Sequence, residues 1–398
     1  MLEIRPATPD EMPYLRKLVE TSLMTAPGSL DALQPEFTLC MFDDDRLASV
    51  HGSWPLTMRF NGKAIPISGV TTVSTDPIDR GRGHLRKLVA HHFNELHDAG
   101  ERPWAVLYAS QAIIYQRYGY AVVSTHHRYK IEPRHVEFAE PLKIPGTLRE
   151  IDIDRDFGLM VDMYRKYRED RTGLLHRGKP MWDIRTTAKP HGDDKKTALV
   201  YEEDGEPLGC LVFTTSEYPP DPPLPGQKVV LEDMTPLTPL AYRAFWTHLG
   251  RMPLARFIEV PAVASDDPLP HLLLEPRMLR DTNRDGVLAR IIDLAPALDA
   301  RRYQPGGVVS FELIDDLCTW NAGRWRASLT PEGAEVEKLS GEPELSMTAA
   351  TLAMIAFGQV TATQAADAGR VGVHDASALP RWDAAFKTRY APFCGDNF

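Results

Sequence analysis

A basic loop from Arg80 to Arg86, punctuated by Gly81 and Gly83, carries the clearest potential for chemistry in the sequence. Glycine lets a backbone approach a ligand closely. The pattern after the loop predicts a helix whose first-turn amides would point toward an anion. The arginines of the loop add cationic donors, so the segment predicts a diphosphate site. The spacing fits neither a Walker loop nor a GxGxxG turn, and an ordinary basic strand-to-helix turn stays the alternative.

Tyr115 is the second candidate for chemistry. A phenol has an ordinary pKa of about 10, so it is protonated at neutral pH and can protonate a departing thiolate. Tyr108, Tyr118 and Tyr120 lie close by in the sequence. The pattern therefore suits an aromatic side chain packed near a helix end equally well, and both interpretations stay open.

A strand and a helix must position the loop. The apolar run from Val70 to Thr75 predicts a buried strand, and the helix after the loop is expected to end at Ala99, with Gly100 as its stop. One face of this helix is apolar, which indicates packing on a sheet. That face consists of Leu85, Leu88, Val89, Phe93 and Leu96.

The elements around this centre follow a recognisable order. A capping box at Thr8–Glu11 begins the first helix, and Asn61-Gly62 marks a hairpin among antiparallel strands. Later strands are expected from Trp104 to Ala109, from Tyr120 to Ser124 and from Arg128 to Ile131. A short helix containing the candidate tyrosine separates the first two of these.

This order resembles the fold of the GCN5-related N-acetyltransferases (GNAT). Their cofactor loop reads Arg/Gln-x-x-Gly-x-Gly/Ala; Arg80 and Gly83 match it, whereas Leu85 stands where glycine or alanine is usual. The resemblance implies a central strand that splays from its successor and binds acetyl-CoA along its exposed edge. The amides of Val73 and Thr75 are the candidates for pairing with the pantetheine.

Longer segments resemble one subgroup, the Eis (enhanced intracellular survival) acetyltransferases. The matching segments are Val73-Ser74-Thr75-Asp76-Pro77-x-x-Arg80-Gly81-Arg82-Gly83-His84-Leu85-Arg86, Leu107-Tyr108-Ala109-Ser110-x-x-x-Ile114-Tyr115-x-Arg117-Tyr118-Gly119-Tyr120, Asp316-x-Cys318-x-Trp320-Asn321-x-Gly323-Arg324-Trp325 and the final residues from Ala391 to Phe398. The resemblance implies that Tyr115 is the general acid. It also implies that the terminal α-carboxylate, here of Phe398, is the general base.

The same resemblance implies a set of acetyl-CoA contacts and a homohexamer. The contacts are Val73, Ser74, Thr75, Gly81, Arg82, Gly83, His84, Leu85, Arg86, Ser110 and Gln111. Gln111, Ala112 and Ile113 replace the glutamate and glycines that are usual in the family, so the shape of the acceptor pocket is expected to differ.

The predicted fold class is α+β: two tandem GNAT folds followed by a sterol-carrier-protein-like α+β domain. The expected boundaries are 1–145 for the catalytic GNAT domain, 146–286 for a degenerate second GNAT domain and 287–398 for the C-terminal domain. Nothing between Val229 and Leu249 supplies the cofactor signature, so the second fold is expected to bind no cofactor. The proline-dense segment from Tyr218 to Pro225 predicts a loop.

Further patterns belong to the middle and last regions. A basic run from Arg165 to Lys179, which includes Arg177, suits a solvated or interface face better than a phosphate site. The strand-like runs expected to form the last domain are Leu288 to Leu294, Val308 to Ile314, Gly323 to Leu329 and Ala334 to Lys338. Helices are expected near Thr348 to Phe357 and Ala376 to Lys387.

Length, composition and net charge restrict the classes of function that the protein can have. The 398 residues are too many for one core. The net charge of −10 argues against non-specific nucleic-acid binding and suits a cationic amine substrate. Four scattered cysteines, no signal peptide and no apolar run of membrane-spanning length predict a cytoplasmic protein without a membrane partner. The histidine pairs lack a third ligand at useful spacing, so no metal is expected.

The sequence therefore predicts an acetyl-CoA-dependent N-acetyltransferase acting on primary amines of multi-amine compounds, such as aminoglycosides, or on lysine side chains. Two other classes remain open. One is a lipid- or sterol-binding protein that acts through the C-terminal domain. The other is a catalytically silent scaffold that keeps coenzyme A binding as a vestige.

Overall fold

The computed structural model describes residues 2–24, 33–184, 186–216, 226–303 and 307–398. The proline-dense segment from Tyr218 to Pro225 lies outside these residues. The chain forms two compact units. The first consists of Met1–Ser124, Gly286–Arg389 and Asn397–Phe398, and the second of Thr125–Asp285 and Tyr390–Asp396.

The first unit begins with a helix and a set of antiparallel strands. The predicted capping box is present, with the Thr8 N–H donating to Glu11 Oε2 at 2.7 Å. The elements of this part are β1 (Leu2–Arg5), α1 (Met12–Leu23), β2 (Thr38–Asp43), β3 (Arg46–Phe60), β4 (Lys63–Thr75), α2 (His84–Ala99), β5 (Trp104–Tyr108), α3 (Ala112–Gln116) and β6 (Ala121–Val122). Asn61 and Gly62 adopt positive φ angles of 43° and 91° between β3 and β4, as a tight hairpin requires.

The second unit repeats a similar order of elements. These are β7 (Thr125–Ile131), β8 (Thr147–Ile151), α4 (Phe157–Arg168), α5 (Lys179–Ile184), β9 (Lys195–Glu203), β10 (Glu206–Thr215), β11 (Gln227–Pro236), α6 (Pro239–Gly250), β12 (Ala255–Ala264), α7 (Leu269–Leu272) and β13 (Thr282–Asp285). A hairpin at Asp204-Gly205 joins β9 to β10, with φ angles of 49° and 82°.

The chain then returns to the first unit. Its elements there are β14 (Val287–Ile291), α8 (Leu294–Asp299), β15 (Gly307–Ile314), β16 (Gly323–Thr330), β17 (Gly333–Lys338), β18 (Leu345–Thr348), α9 (Ala349–Phe357), α10 (Ala362–Asp367), β19 (Val371–Val373) and α11 (Ala378–Phe386). The predicted strands after residue 307 and the helices α9 and α11 are confirmed.

Sheet membership departs from the prediction at two strands. Among the described strands, the sheets have the orders β1-β2-β3-β4-β5-β14-β6, β13-β7-β12-β11-β10-β9-β8 and β17-β16-β15-β18-β19. The run from Leu288 was expected in the C-terminal domain, which is wrong, because β14 pairs with β5 and β6 in the first sheet. The run from Arg128 was expected in the first fold, yet β7 pairs with β12 in the second sheet.

The physical reason is that the partner of a strand depends on residues far away in the chain. β14 is a mostly apolar run and β7 a mostly polar one, and neither pattern specifies the sheet that the strand joins. The sequence pattern therefore predicted that both segments are strands, but it did not predict which sheet each strand joins. The domain boundaries expected after residues 145 and 286 stay predictions, whereas the two exchanged strands divide the chain near residues 124 and 286.

A buried arginine stabilises the C-terminal domain. Arg301 has no exposed surface, and burial lowers its pKa to about 10. Its guanidinium donates to the carbonyls of Ala356 and Phe386, which lie in the last turns of α9 and α11. A cation that satisfies carbonyls at helix C-termini is stabilising.

Candidate active site

The parallel pairing of β4 with β5 stops part-way along β4. Its last pair joins Val70 to Leu107, although β4 continues to Thr75. Within the described chain, no strand pairs with β4 on that side beyond Val70. A gap therefore opens between the segments 70–75 and 107–108, which we call the first fork. This end of the pairing agrees with the splay that the sequence resemblance implies.

A bulge re-aims β4 at the first fork. Gly52 of β3 pairs with Thr71 and Val50 pairs with Ser74, so one residue of β3 faces two of β4. Thr72 adopts a φ of 52°, which is rare for a β-branched residue. A Cβ at Gly52 would collide with the Thr72 hydroxyl, so only glycine fits opposite the bulge. Bulges of this kind occur next to active sites, where they redirect the strand.

The direction of the β4 amides identifies the groups that face the first fork. The Asp76 N–H donates to a carbonyl of β3 at 3.0 Å, and the Ser74 carbonyl accepts from the Ser49 hydroxyl at 2.9 Å. The backbone polar groups of Ser74 and Asp76 thus point toward β3. Because backbone polar groups alternate in direction along a strand, the N–H groups of Val73 and Thr75 point toward the first fork.

The glycine loop has the geometry of an anion site. Gly81 and Gly83 adopt φ angles of 78° and 79°, and both glycines have open space where a Cβ would stand. The first hydrogen bond of α2 runs from the Lys87 N–H to the Gly83 carbonyl. No side-chain cap satisfies the amides of the first turn among the residues that the structure describes. Unsatisfied amides at a helix N-terminus attract phosphate groups.

An aspartate that the sequence reading missed fixes this loop. Asp79 is almost fully buried and binds Arg46 and Arg82, each at 2.7 Å. Arg82 also pairs with Asp43 at 3.0 Å. The hydrogen bond from Arg46, followed by that from Arg82, holds the pKa of Asp79 below its ordinary value. Arg82 therefore connects the loop to β2 through its ion pairs, and all three arginines of the loop, Arg80, Arg82 and Arg86, are exposed.

Tyr115 lies on α3 and belongs to a buried cluster with Val70 and Leu107, the last paired residues before the first fork. Burial, with a smaller contribution from Tyr118, raises the pKa of Tyr115 to about 12. Across the described ranges, no residue hydrogen-bonds its hydroxyl. The phenol is therefore protonated at neutral pH and uncommitted to a protein acceptor.

Phe398 approaches the first fork from the other face of the sheet. Its ring centroid lies 5.6 Å from that of Tyr108. Its Cδ2 atom would stand 3.1 Å from a Cβ at Gly69. Gly69 and Tyr108 alternate with Val70 and Leu107 along the strands, so their outward sides lie on the face opposite to Tyr115. Tyr115 and Phe398, two residues far apart in the sequence, thus meet the same strand pair.

Comparisons with known proteins agree with this geometry. Residues 3–123 and 173–291 each match a model of the acetyltransferase (GNAT) domain, and residues 294–395 match a model of the sterol carrier protein domain. The chain is 29% identical over 372 residues to an uncharacterized N-acetyltransferase of Streptomyces avermitilis, covering 90% of this chain and 88% of that protein.

Two Eis proteins are similar over most of the chain. The N-acetyltransferase Eis of Mycobacterium tuberculosis is 28% identical over 330 residues, which cover 81% of this chain and 78% of that protein. The crystal structure of Eis1 from Mycobacterium abscessus superposes with a TM-score of 0.84 at 26% identity, covering all of both chains. The chain belongs to the Eis-type GNAT acetyltransferases. The predicted fold class, two GNAT folds followed by a sterol-carrier-like domain, is confirmed.

The remaining cofactor contacts expected for an Eis-type enzyme lie around the first fork. Ser110 and Gln111 are exposed and follow β5 directly. Leu85 is half-buried on the sheet-facing side of α2. The His84 ring is buried, and neither of its nitrogens has a hydrogen-bond partner in the described part of the chain. Only the backbone of His84 is therefore disposed toward the loop.

The second sheet contains a corresponding gap. The last parallel pair of β11 and β12 joins Val230 to Glu259, after which β11 continues to Pro236 and β12 to Ala264. We call this gap the second fork. Its position in the sheet matches that of the first, as expected for a repeated GNAT fold.

The connection beyond the second fork differs from the glycine loop. Only Leu237 and Thr238 join β11 to α6. The Thr238 hydroxyl accepts from the Ala241 N–H at 3.1 Å, and Pro239 at the first helical position has no N–H to offer. This helix N-terminus has one amide capped by a side chain and one N–H removed by proline, so it offers fewer donors to a phosphate, which supports the prediction that the second fold binds no cofactor.

Two further observations concern metal ions and membranes. No group of three or more histidine, cysteine, aspartate or glutamate side chains is arranged to hold a metal ion among the residues described. Within the same residues, no helix is both long enough and apolar enough to cross a membrane. The GNAT fold implies acetyl-CoA as co-substrate.

Proposed function

We propose that this N-acetyltransferase moves the acetyl group of acetyl-CoA directly to a primary amine at the first fork, within a ternary complex. One observation carries the proposal: Tyr115 and Phe398 approach the same strand pair from opposite faces. A thioester held in the gap would have a proton donor on one side and the chain's own carboxylate on the other. Pantetheine would pair with the N–H groups of Val73 and Thr75.

Each group has a defined part in the transfer. The N–H of Val73 would polarise the thioester carbonyl. The attacking amine must be neutral, and the Phe398 carboxylate accepts its proton directly or through a water molecule. As the new C–N bond forms, the C–S bond breaks, and the Tyr115 hydroxyl donates its proton to the departing thiolate. The raised pKa of Tyr115 keeps that proton available.

The terminal carboxylate acts mainly through its position. An α-carboxyl has an ordinary pKa of about 3.5, so it is a weak base. Placed beside the first fork, it can bind and orient the ammonium form of the acceptor before the proton leaves. This favours cationic acceptors, which agrees with the net charge of −10. We therefore propose multi-amine compounds of the aminoglycoside type, or lysine side chains, as acceptors; the homohexamer and the cytoplasmic location stay predictions.

A thiol-release assay with a panel of amines tests this function. Tyr115→Phe removes only the phenolic hydroxyl, so acetyl-CoA should still bind while kcat falls roughly a hundredfold or more. Tyr118→Phe is the matched control, because Tyr118 is a half-buried tyrosine of the same segment without a proposed part in the transfer, and it should keep wild-type turnover. A near-wild-type rate for Tyr115→Phe would remove Tyr115 as the acid.

The carboxylate is tested with a semisynthetic chain that ends in an amide. The amide keeps the Phe398 ring but removes the terminal negative charge. We expect kcat to fall about tenfold to a hundredfold with unchanged affinity for acetyl-CoA. Full activity of the amide would exclude the carboxylate as base.

The lipid-binding alternative is less well supported by the packing. Aromatic side chains fill the core of the C-terminal domain: the stacked rings of Trp382 and Phe386 lie 5.1 Å apart, and Phe311 contacts Trp382 edge-on at 5.6 Å. All three side chains are buried. A filled core of this kind supports a structural role. Extraction of a bound lipid from purified protein would favour the alternative.

A further inference from the structure

The last residues before the terminus are held within the second compact unit. The segment Tyr390–Asp396, which we call the tail, belongs to that unit. The Phe393 N–H donates to the Thr172 carbonyl at 2.9 Å, and the Ala391 N–H donates to Asp266 Oδ2 at 2.8 Å. Chain ends are ordinarily poorly ordered unless they are tied down. The tail is tied down over its whole length.

The packing of the tail is close enough to involve backbone contact. Gly173 adopts a φ of 101°, and a Cβ at this position would stand 2.5 Å from the Phe393 carbonyl oxygen. The Cys394 side chain is fully buried. The backbone of the tail therefore packs directly on Gly173, and a residue larger than glycine at this position would displace the tail.

Arg177 anchors the end of the tail. Its Nε donates to Asp396 Oδ1 at 2.8 Å, and its other nitrogens pair with Asp233. The Arg177 side chain is only 4% exposed and lies 3.9 Å above the ring of Tyr164. The Tyr164 hydroxyl also donates to Asp396 at 3.3 Å. Breaking a buried, hydrogen-bonded ion pair is costly because the charges left behind lack a partner.

These anchors lie at the second fork. Asp233 belongs to the part of β11 beyond Val230, where the pairing with β12 has ended. Asp266 comes shortly after the last residue of β12, Ala264. Asp266 binds the tail directly and Asp233 binds it through Arg177, so the tail is connected to both strands beyond their pairing. The run that contains Arg177 was expected to form a solvated or interface face; Arg177 is buried, so the solvated alternative is wrong for this residue.

We propose that the second GNAT fold serves as the receptor for the chain's own tail, and that Arg177 is a positioning residue for the terminal carboxylate. The inference rests on the proposed role of the Phe398 carboxylate. Asn397 alone separates the anchored Asp396 from Phe398. Fixing Asp396 therefore limits where the carboxylate can stand, and a displacement of about 1 Å in a reacting group is enough to slow a reaction strongly.

A double-mutant cycle tests this proposal on the full-length enzyme. Arg177→Met and Asp396→Asn should each lower kcat about tenfold or more, with the KM for acetyl-CoA unchanged. Arg177→Lys should recover part of the rate because it keeps the charge. In the background of the C-terminal amide, which already lacks the terminal charge, the same substitutions should cause no further loss of kcat.

Two controls separate positioning from general damage. Leu211→Ala removes a fully buried side chain elsewhere in the second unit and should lower the unfolding temperature without lowering kcat at 25 °C. Hydrogen exchange should rise in the tail for Arg177→Met and not for Leu211→Ala. If Arg177→Met were too unstable to study, Asp396→Asn carries the same cycle.

The outcomes distinguish the two proposals. If the C-terminal amide loses activity while Arg177→Met and Asp396→Asn retain it, the receptor role is wrong and the carboxylate role stands. If the amide is fully active, the carboxylate role fails first. Additive losses in the cycle would also overturn the positioning role, because residues that act through one group do not add.

Discussion

Both sheets contain a parallel strand pair whose pairing ends part-way, yet the connections that follow the two forks differ. Beyond the first fork, the chain runs from Asp76 to Gly83 through two left-handed glycines before α2 begins. Beyond the second, Leu237 and Thr238 suffice. No side chain caps the first turn of α2 among the described residues, whereas Thr238 caps one amide of α6.

The difference teaches that a fork by itself is not a cofactor site. The fork supplies strand edges, whereas phosphate binding needs a loop long enough to turn and glycines that let it do so. With its shorter loop, the second fork lacks that geometry. Side chains beside it, Arg177 and Asp266, bind the chain's own tail instead.

Among the substitutions that test the difference between the two forks, Gly83→Val should have the largest effect. A β-branched residue disfavours the left-handed conformation, so the start of α2 would refold and affinity for acetyl-CoA should fall roughly a hundredfold. Titration calorimetry with acetyl-CoA measures it. Gly205→Val is the matched control, because Gly205 has a φ of 82° and equal open space in a hairpin of the second sheet. Equal losses of affinity in both variants would contradict the assignment of the loop.

Substituting Asp79 should have a smaller effect on the same loop. Asp79→Asn removes the partner of Arg46 and Arg82, and we expect acetyl-CoA affinity to fall about tenfold because the loop is less well ordered. Asp45→Asn, an exposed aspartate in the neighbouring turn, is the control.

The same variant should change how stability depends on pH. The folded state holds the pKa of Asp79 below its ordinary value, so this carboxylate stabilises the fold above about pH 4 and the contribution is lost as the pH falls further. Thermal unfolding of wild type from pH 7 to pH 3 should show this loss, and Asp79→Asn should show less of it. Identical pH profiles would mean that the ion pairs contribute nothing.

Removing the Thr238 cap should have the smallest effect. Thr238→Ala should destabilise the fold by about 1 kcal/mol, the usual value for an N-cap, while leaving acetyl-CoA affinity unchanged. Urea denaturation measures the first quantity and calorimetry the second, with Thr238→Ser as the conservative partner. A weaker affinity for acetyl-CoA in Thr238→Ala would indicate that the second helix contributes to cofactor binding.

Local signals in the sequence were enough to predict much of the first fork. The strand before the glycine loop, the apolar face of α2 and the stop at Gly100 all follow from residues within one turn or one strand of each other. The hairpin at Asn61-Gly62 is equally local. These elements were predicted because the interactions that define them connect near neighbours.

The ion pairs between residues far apart in the chain could not be predicted from the sequence pattern. Asp79 lies three residues from Arg82, whereas its second partner, Arg46, belongs to β3. Arg177 and Asp396 are separated by 219 residues, more than half of the chain. The acidic partner of Arg177 is far away in the sequence, so the basic run around Arg177 predicted a solvated or interface face instead of a buried ion pair.

The insertion of β14 between β5 and β6 has a consequence for synthesis. A ribosome produces β5 and β6 early, but the strand that separates them emerges only after the entire intervening GNAT fold. Until Ile291 has been translated, β5 presents an unpaired edge, which is the feature that invites association with other nascent chains. A fragment cut at Ser124 would keep that edge permanently, so the catalytic third of this enzyme should be obtained as a stable protein only when the rest of the chain is made with it.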